Sequence, residues 1–185
     1  MATWLTADLH LCHDKDFIWG ARGFSCVEEM NEEIVKRYNS VVAPDDDVFI
    51  LGDLMLGDDS LAIPYLRQLN GHINVIRGNH DSDARCNIYN TLGMGIYGAT
   101  YLKYRGRTFF LSHYPAITAN YDDDKPNKVK VMSLCGHTHT TNPFIDLKER
   151  NMYAYHVEVD AHDCYPVELD YIIREMAIKT WELKG

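Results

Sequence analysis

The 185-residue sequence lacks several features that mark special classes of protein. Its five cysteines are scattered and form no C-x-x-C pair, which argues against a disulfide framework or a thiolate zinc site and favours reduced thiols in the cytoplasm. No run of about 18 apolar residues is present to cross a membrane, and the first residues lack the basic start of a secretory signal. Internal repeats and low-complexity segments are also missing. We therefore expect a single cytoplasmic domain over residues 1–185.

Basic residues are also fewer than acidic residues, 18 against 27. The net charge is −9, so the surface is a poor match for long nucleic acid, which is usually bound by a basic stripe. A small anionic substrate is still compatible with this charge, because a bound metal ion can reverse the local field. Apolar residues make up 46% of the chain, which is enough for an ordinary globular core.

Short apolar runs rich in β-branched and aromatic residues alternate with helical segments along the chain. This pattern predicts strands at Thr3–Ala7, Val48–Leu51, Ile73–Arg77, Thr100–Tyr104, Thr108–Ser112, Val129–Leu134 and Tyr153–Val159. The dipeptide Arg105-Gly106 is predicted to form a two-residue hairpin turn between the fourth and fifth of these strands.

Helices are predicted in three places between and after the strands. The clearest covers Cys26–Val41, where Ser25 and Glu28 have the spacing of a capping box. Another is expected to begin near Pro64, since proline is tolerated in a first turn, and a third to cover Val167–Leu183. The alternation of strands and helices favours an α/β or α+β layered fold.

Polar residues that can bind metal ions follow five of the predicted strands, three of them after a glycine that lets the backbone turn sharply. They are two aspartates, one asparagine and five histidines: Asp8, His10, Asp53, Asn79, His80, His113, His137 and His139. The carboxyl ends of strands in layered α/β folds gather along one rim, where ligands bind. A single such histidine is usually structural and an aspartate after glycine is usually part of a turn, but recurrence at five strand ends favours one common site.

The types of these side chains narrow the metal that they could bind. Imidazole and carboxylate without thiolate suit Mn, Fe, Co or Zn, and several imidazoles disfavour Mg and Ca. A catalytic site for one ion usually takes about three protein ligands, whereas two ions ~3.5–4 Å apart would use the whole set. In an extended segment, His137 and His139 would point to the same side, so that each could bind one ion of a neighbouring pair.

The blocks D-L-H (8–10), G-D (52–53), G-N-H-D (78–81), H (113) and G-H-T-H (136–139) follow one another as in a known family. In their order and spacing the chain resembles the calcineurin-like metallophosphoesterase superfamily from Asp8 to about Val167. Short stand-alone bacterial and phage members share the stretches Arg22–Asn31 and Tyr165–Val167 and look most similar. The resemblance implies an α/β fold in which two mixed β-sheets pack as a sandwich flanked by helices.

The resemblance also implies two divalent transition-metal ions, with Mn favoured among Mn, Fe, Zn, Ni and Co. The first ion would be held by Asp8, His10, Asp53 and His139. The second would be held by Asp53, Asn79, His113 and His137, so that the carboxylate of Asp53 bridges the pair.

The implied reaction is hydrolysis of phosphomonoesters, phosphodiesters or both. A hydroxide that bridges the ions would attack phosphorus, His80 would act as general acid, and Asp81 would orient His80 and keep it cationic. A small phosphorylated substrate is expected, with nucleotides among the candidates. No arginine follows the G-D block and the third block ends in Asp81, so a protein phosphatase is disfavoured. The alternative is a non-catalytic metal-binding scaffold of the same fold.

Other residues near the blocks are candidates for parts of the pocket. Arg22 and His13 are candidates for contact with the substrate phosphate, against a surface arginine and a capping or supporting histidine. Glu158 stands where glycine is common in the superfamily, so the edge of the pocket near Val157–Asp160 is expected to differ from relatives. The acidic segment 121–128 is interpreted as a solvated turn rather than a rim of the cleft.

Overall fold

Two mixed five-stranded β-sheets form the centre of the protein, which is known here from a computed structural model that describes residues 1–118, 131–145 and 154–182. In the first sheet, four parallel strands lie in chain order: β1 (Thr3–Thr6), β2 (Asp47–Ile50), β3 (His72–Ile76) and β4 (Gly95–Tyr97). Strand β10 (Val167–Glu168) pairs antiparallel with β1 at the edge of this sheet.

The second sheet has the order β5-β6-β7-β9-β8. Its strands are β5 (Thr100–Tyr104), β6 (Arg107–Leu111), β7 (Val131–Cys135), β8 (Phe144–Ile145) and β9 (Ala154–His156). Strands β6, β7 and β9 are parallel, while β5 and β8 are antiparallel to their neighbours. The inner strands of both sheets therefore end at the edge where the loops that follow them can meet.

The core has two layers. One lies between the first sheet and the helices α2 (Val27–Val41), α3 (Asp59–Leu66) and α4 (Asp83–Thr91). The other lies between the sheets and includes buried residues of α5 (Leu169–Glu182). A short helix α1 (Asp16–Trp19) precedes α2. The predicted sandwich of two mixed sheets with flanking helices is confirmed. None of the helices in the described ranges combines the length and the apolar character needed to cross a bilayer.

The predicted strands occur close to their expected positions, and the hairpin at Arg105-Gly106 is confirmed. Tyr104 pairs with Arg107 across a two-residue turn in which both residues have positive φ, 48° and 75°. Positive φ at both turn positions matches the twist of the flanking strands. The sequence interpretation missed the short strands β4, β8 and β10, which have too few residues to display an alternating pattern.

Two predicted helix starts are wrong. Helix α2 begins at Val27 with Cys26 as its N-cap, and the Ser25 backbone N–H donates to the carboxylate of Glu29 at 2.7 Å rather than to Glu28. Helix α3 begins at Asp59, so Pro64 lies inside it instead of in its first turn. The side chain of Asp58 caps this helix by accepting the backbone N–H of Ser60 at 2.8 Å, which satisfies one donor that the first turn leaves free.

Candidate metal centre

The eight predicted side chains lie in loops that follow the carboxyl ends of five strands. The loops after β1, β2 and β3 belong to the first sheet, and those after β6 and β7 belong to the second. The structure brings together the seven predicted ligands, which are Asp8, His10, Asp53, Asn79, His113, His137 and His139. Because both sheets supply ligands, the centre lies where the carboxyl ends of strands from the two sheets meet.

The two carboxylates are each fixed through one oxygen. The His137 backbone N–H donates to Asp8 Oδ2 at 2.8 Å, and the His80 backbone N–H donates to Asp53 Oδ1 at 2.8 Å. The remaining oxygens, Asp8 Oδ1 and Asp53 Oδ2, face the histidine rings. Among the described residues, Asp8 Oδ1 and His10 Nε2 are buried without any hydrogen-bond partner. Buried polar atoms normally have a partner, so these two atoms are suited to contact with a bound cation.

A first group of ligand atoms surrounds Asp8 Oδ1. His10 Nε2 and His139 Nε2 each lie 3.9 Å from this oxygen, and His10 Nε2 lies 3.7 Å from Asp53 Oδ2. A hydrogen bond from His139 Nδ1 to Asp160 Oδ2 at 2.9 Å directs His139 Nε2 towards the group. The group consists of the four residues predicted for the first ion.

A second group surrounds His113 Nε2. This atom lies 2.8 Å from Asn79 Oδ1, 3.1 Å from His137 Nδ1 and 3.6 Å from Asp53 Oδ2. The His113 Nδ1–H donates to the Leu51 carbonyl at 2.8 Å, so Nε2 is the ring nitrogen left to face this group. Several acceptor atoms that face one another at these distances repel unless a cation lies between them. Asp53 Oδ2 is the atom that approaches both groups.

Burial sets the charge states that the centre favours. Burial raises the pKa of Asp8 well above its usual value, and the nearby carboxylates of Glu158, Asp53 and Asp160 act in the same direction. Burial, together with the charge of His139, lowers the pKa of His10 to about 2. A neutral imidazole is the form that binds a metal, and a desolvated carboxylate is stabilised by an adjacent cation. The donor set therefore fits divalent metal ions.

The backbone at these ligands adopts a conformation that most residues avoid. Positive φ values occur at five of the seven: Asp8 (57°), His10 (50°), Asp53 (55°), His137 (77°) and His139 (51°). Such residues cost of order 1–3 kcal/mol each, and they cluster at functional sites where the surrounding structure holds them. His137 and His139 do reach different groups, but the expectation that they do so from an extended segment is wrong.

Two glycines are required for the carboxylates to fit. A Cβ at Gly136 would lie 2.2 Å from Asp8 Oδ2, and a Cβ at Gly78 would lie 2.3 Å from Asp53 Oδ1. Side-chain carbons do not approach oxygen atoms so closely. The glycines of the third and fifth sequence blocks thus let two loops pack directly onto the ligand carboxylates.

Arg22 does not occupy the position expected for a substrate-binding residue. Its side chain is only 2% exposed, and its guanidinium donates to both oxygens of Asp160 and to the backbone carbonyls of Asp8 and Leu9. The prediction that Arg22 contacts the substrate phosphate is therefore wrong. Its role is to hold the Asp8 loop and to fix Asp160 against His139.

Asp160 is the functional residue that the sequence interpretation missed. Although burial alone would raise it, the hydrogen bonds from His139 and Arg22 lower the pKa of Asp160 below its usual value. Asp160 lies in a short 3-10 helix, Val159–Ala161, and it belongs to none of the five sequence blocks. The spacing of the sequence gives no signal for it, because its partners are 21 and 138 residues away.

His13 lies against the first group rather than within it. Its Nδ1 is 3.3 Å from His10 Nδ1, so the two rings share a hydrogen bond that leaves His10 Nε2 facing the metal side. The ring is partly buried, and burial lowers the pKa of His13. His13 therefore supports His10 through its ring, and its predicted contact with the substrate phosphate stays a prediction.

Asp81 is not an orienting partner for the His80 ring. Its carboxylate is fully buried and accepts the backbone N–H groups of Asp53, Leu54 and Gly78 as well as the Tyr89 hydroxyl, so it ties the second and third sequence blocks together. The prediction that Asp81 orients the His80 ring is therefore wrong.

The peptide groups of His80 are what hold that residue in place. Its N–H donates to Asp53 Oδ1, and its carbonyl accepts from Arg85 Nη1 at 2.8 Å. The His80 side chain is 40% exposed, and its Nε2 lies 4.0 Å from Asp53 Oδ2. It is thus beside the ligand groups and open to solvent.

Glu158 supports the G-H-T-H loop from below. It is fully buried and accepts from the Thr138 hydroxyl at 2.9 Å, the Thr140 N–H at 3.1 Å and His156 Nδ1 at 3.0 Å. Glu158 therefore holds the base of the loop and does not line an open edge of the pocket. The segment 121–128 lies outside the described residues.

Comparison with known proteins agrees with this geometry. A family model, the calcineurin-like phosphoesterase superfamily domain, matches residues 1–157. The chain belongs to the calcineurin-like phosphoesterase superfamily. Its residues are 33% identical over 181 positions to an uncharacterised protein of Methanocaldococcus jannaschii, covering 92% of this chain and 89% of that protein. They are 28% identical over 181 positions to the gene 66 protein of Mycobacterium phage L5, covering 86% of each.

Among solved structures, a protein of unknown function from Aquifex aeolicus has the same fold. The TM-score is 0.71 at 20% identity, with 94% of this chain and 98% of the other covered. The residues matched by the family model include the five sequence blocks and all seven candidate ligands. Divalent metals are the cofactors that the superfamily generally binds, and the ligand groups found here fit that property.

Proposed function

We propose that this protein is a phosphoesterase that depends on two divalent transition-metal ions, with Mn favoured. The observation that carries the proposal is the placement of Asp53 Oδ2 between the two groups of ligand atoms, with His80 exposed beside them. The residues for the first ion are Asp8, His10, Asp53 and His139. Those for the second are Asp53, Asn79, His113 and His137.

The metal ions, when bound, would polarise a phosphoryl oxygen and lower the pKa of a water molecule so that it can attack phosphorus. Asp8 and Asp53 return only two negative charges to such a centre, so it would attract an anionic phosphate in spite of the acidic chain. Phosphomonoesters and phosphodiesters of small molecules, nucleotides included, are the proposed substrates.

His80 is proposed to give a proton to the leaving oxygen. Its ring is accessible, its backbone N–H and carbonyl are both held by hydrogen bonds, and its Nε2 lies 4.0 Å from Asp53 Oδ2. A positioned acid of this kind typically contributes 10²–10⁴-fold to the rate. Asp160 and Arg22 would keep His139 in place, and Asp81 would keep the loops of Asp53 and Gly78 together.

The test is hydrolysis by chelated protein that has been reloaded with Mn²⁺, Ni²⁺ or Zn²⁺. The substrates are p-nitrophenyl phosphate, a monoester, and bis(p-nitrophenyl) phosphate, a diester, and the metal content is measured in the same samples. We expect turnover of at least one substrate by the wild type and none by Asp53→Asn, which weakens both ligand groups. Two bound ions without turnover of either substrate would instead favour a non-catalytic metal-binding scaffold.

A further inference from the structure

Two exposed aromatic side chains pack on histidines in or beside the metal centre. Tyr114 directly follows His113 and is 53% exposed, with its ring centroid 4.6 Å from that of His137 and 5.1 Å from that of His113. Phe17 is 66% exposed, with its ring centroid 5.9 Å from that of His13. Single exposed aromatic residues are common on proteins. These two differ because both are anchored on the rings that build one site.

The two rings lie on different sides of the ligand cluster. The His13 ring packs against His10 at a tilt, with ring centroids 5.2 Å apart, so Phe17 extends from the first ligand group. Tyr114 packs on His113 and His137, which belong to the second group. The Ser112 hydroxyl donates to the Tyr114 carbonyl at 2.8 Å and fixes the backbone at this residue.

We propose that Phe17 and Tyr114 bind two planar organic groups of the substrate, one on each side of the phosphorus atom. A phosphomonoester has one organic group, whereas a phosphodiester has two, so this arrangement favours diesters with aromatic or nucleoside arms. The inference rests on the proposed phosphoesterase function and narrows its substrate class. Stacking of a base on an aromatic side chain contributes about 1–3 kcal/mol, equivalent to about 5- to 150-fold in affinity.

The position of His80 assigns the two arms. Its ring centroid lies 5.5 Å from that of His10, a ligand of the first group, and Phe17 is linked to the same ligand through His13. The arm that leaves is therefore placed toward Phe17, and the arm that stays on phosphorus is placed toward Tyr114. In the reaction, one P–O bond to the leaving arm breaks, water supplies the oxygen that joins phosphorus, and a proton passes to the leaving oxygen. The products are an alcohol or a phenol, according to the leaving arm, and a monoester.

The kinetic test compares two diesters with the same leaving group, bis(p-nitrophenyl) phosphate and methyl p-nitrophenyl phosphate. Only the arm that stays on phosphorus differs between them. For each variant, kcat/KM for bis(p-nitrophenyl) phosphate is divided by kcat/KM for methyl p-nitrophenyl phosphate. The intrinsic reactivities of the two diesters cancel when this ratio is compared between variants. We expect Tyr114→Ala to lower the ratio about tenfold and Tyr114→Phe to preserve it, because the ring is retained. Phe17→Ala should lower kcat/KM for both diesters by a similar factor and leave the ratio unchanged. Tyr101→Ala, at an exposed tyrosine of β5, is the control and should change neither value.

Binding gives a second readout that does not need turnover. Diphenylphosphinate and dimethylphosphinate carry their two arms on P–C bonds and cannot be hydrolysed. The metal-loaded wild type should bind the diphenyl compound more tightly, and Tyr114→Ala should reduce the difference about tenfold.

The two hypotheses fail in different ways. If wild-type protein hydrolyses methyl p-nitrophenyl phosphate but neither the kinetic ratio nor the phosphinate preference changes in Tyr114→Ala, the aromatic assignment is overturned and the phosphoesterase function stands. If Phe17→Ala leaves kcat/KM unchanged for both diesters, the assignment of the leaving arm is overturned. If metal-loaded wild type hydrolyses none of the esters, the proposed function fails, and the phosphinate preference alone then decides whether the rings bind aromatic groups.

Discussion

Three of the candidate ligand histidines use one ring nitrogen in a hydrogen bond to a residue outside the ligand groups. Their other ring nitrogen faces the ligand cluster. His113 uses Nδ1 on the Leu51 carbonyl, and His139 uses Nδ1 on Asp160. His10 uses Nδ1 on His13. The outer hydrogen bond selects the tautomer and the direction of the remaining lone pair. Residues that are not ligands therefore determine how well the ligands can bind.

Asp160→Asn should weaken metal binding without removing a ligand. The carboxylate aligns His139 and is itself held by Arg22, and loss of such an outer partner typically costs 10–100-fold in metal affinity. We expect a loss in this range for one of two Mn²⁺ ions in a calorimetric titration of chelated protein. Asp163→Asn, at an exposed aspartate three residues away, is the matched control. Equal Mn²⁺ affinities in both variants would show that Asp160 does not position His139.

His80→Ala should separate metal binding from proton transfer. His80 is not in either ligand group, so the variant should retain its metal ions by elemental analysis. Its rates should fall about 10²–10⁴-fold for alkyl esters, whose leaving oxygens need a proton, and much less for p-nitrophenyl esters. His72→Ala, an exposed histidine at the start of β3, is the control. An equal loss for both types of ester would exclude the acid role.

The sequence predicted the ligands better than it predicted their supports. Metal-binding residues have few substitutes, so their types and spacing are visible in the chain. Supporting residues act through hydrogen bonds to distant backbone groups, as Arg22 does with the Leu9 carbonyl and Asp81 with the Asp53 N–H. Any buried polar residue can serve in that way, so the sequence alone suggested substrate contact for Arg22 and orientation of His80 for Asp81.

At the scale of elements, short strands deliver the ligands and glycines determine how closely the loops approach. Long or alternating apolar segments were predictable, as for α2 and for strands β1 to β3, because burial fixes their period. Helix α4 was missed, although Ser82 caps it by accepting the Arg85 N–H at 3.3 Å. Its buried residues Cys86 and Tyr89 are too few to form a recognisable stripe. Local periodicity therefore predicts the layers but not every helix that closes them.

Gly136→Ala should damage the metal centre, whereas Gly98→Ala should not. A Cβ at Gly136 would meet Asp8 Oδ2 at 2.2 Å and Ala7 Cβ at 2.6 Å, both in a fully buried segment, while a Cβ at Gly98 meets no atom within 4 Å. We expect Gly136→Ala to lose metal ions and to unfold at lower urea concentration. Gly98→Ala should be neutral or stabilised by up to about 1 kcal/mol. Wild-type metal content in Gly136→Ala would show that the loop can move away from Asp8 at little cost.

At the scale of the whole molecule, buried histidines link stability to pH. Burial lowers the pKa of His162, whose Nε2 donates to the His156 carbonyl at 2.9 Å and whose ring stacks on Tyr155. The unfolded chain then binds more protons than the folded chain below about pH 6.5, so stability falls as the pH decreases through this range. A single such group contributes at most about 1.4 kcal/mol per pH unit.

His162→Gln keeps a donor for the His156 carbonyl but cannot titrate. Chelated wild-type protein should therefore lose more unfolding free energy between pH 7.5 and pH 5.5 than the variant does, as measured by urea denaturation. Parallel losses in the two proteins would mean that His162 keeps its ordinary pKa in the folded state.

Metal binding should also hold the two sheets together, because Asp8 and Asp53 follow strands of the first sheet while His113 and His137 follow strands of the second. Adding Mn²⁺ to chelated protein should raise Tm, since a ligand at 100 times its Kd stabilises the folded state by about 2.7 kcal/mol. The gain should increase with pH, because a cation binds the charged form of Asp8, whose pKa is raised by burial. His113→Ala removes a ligand from the second sheet and should reduce the gain, whereas His72→Ala should keep it. A Tm that does not respond to Mn²⁺, Ni²⁺ or Zn²⁺ in the wild type would contradict a metal centre shared between the sheets.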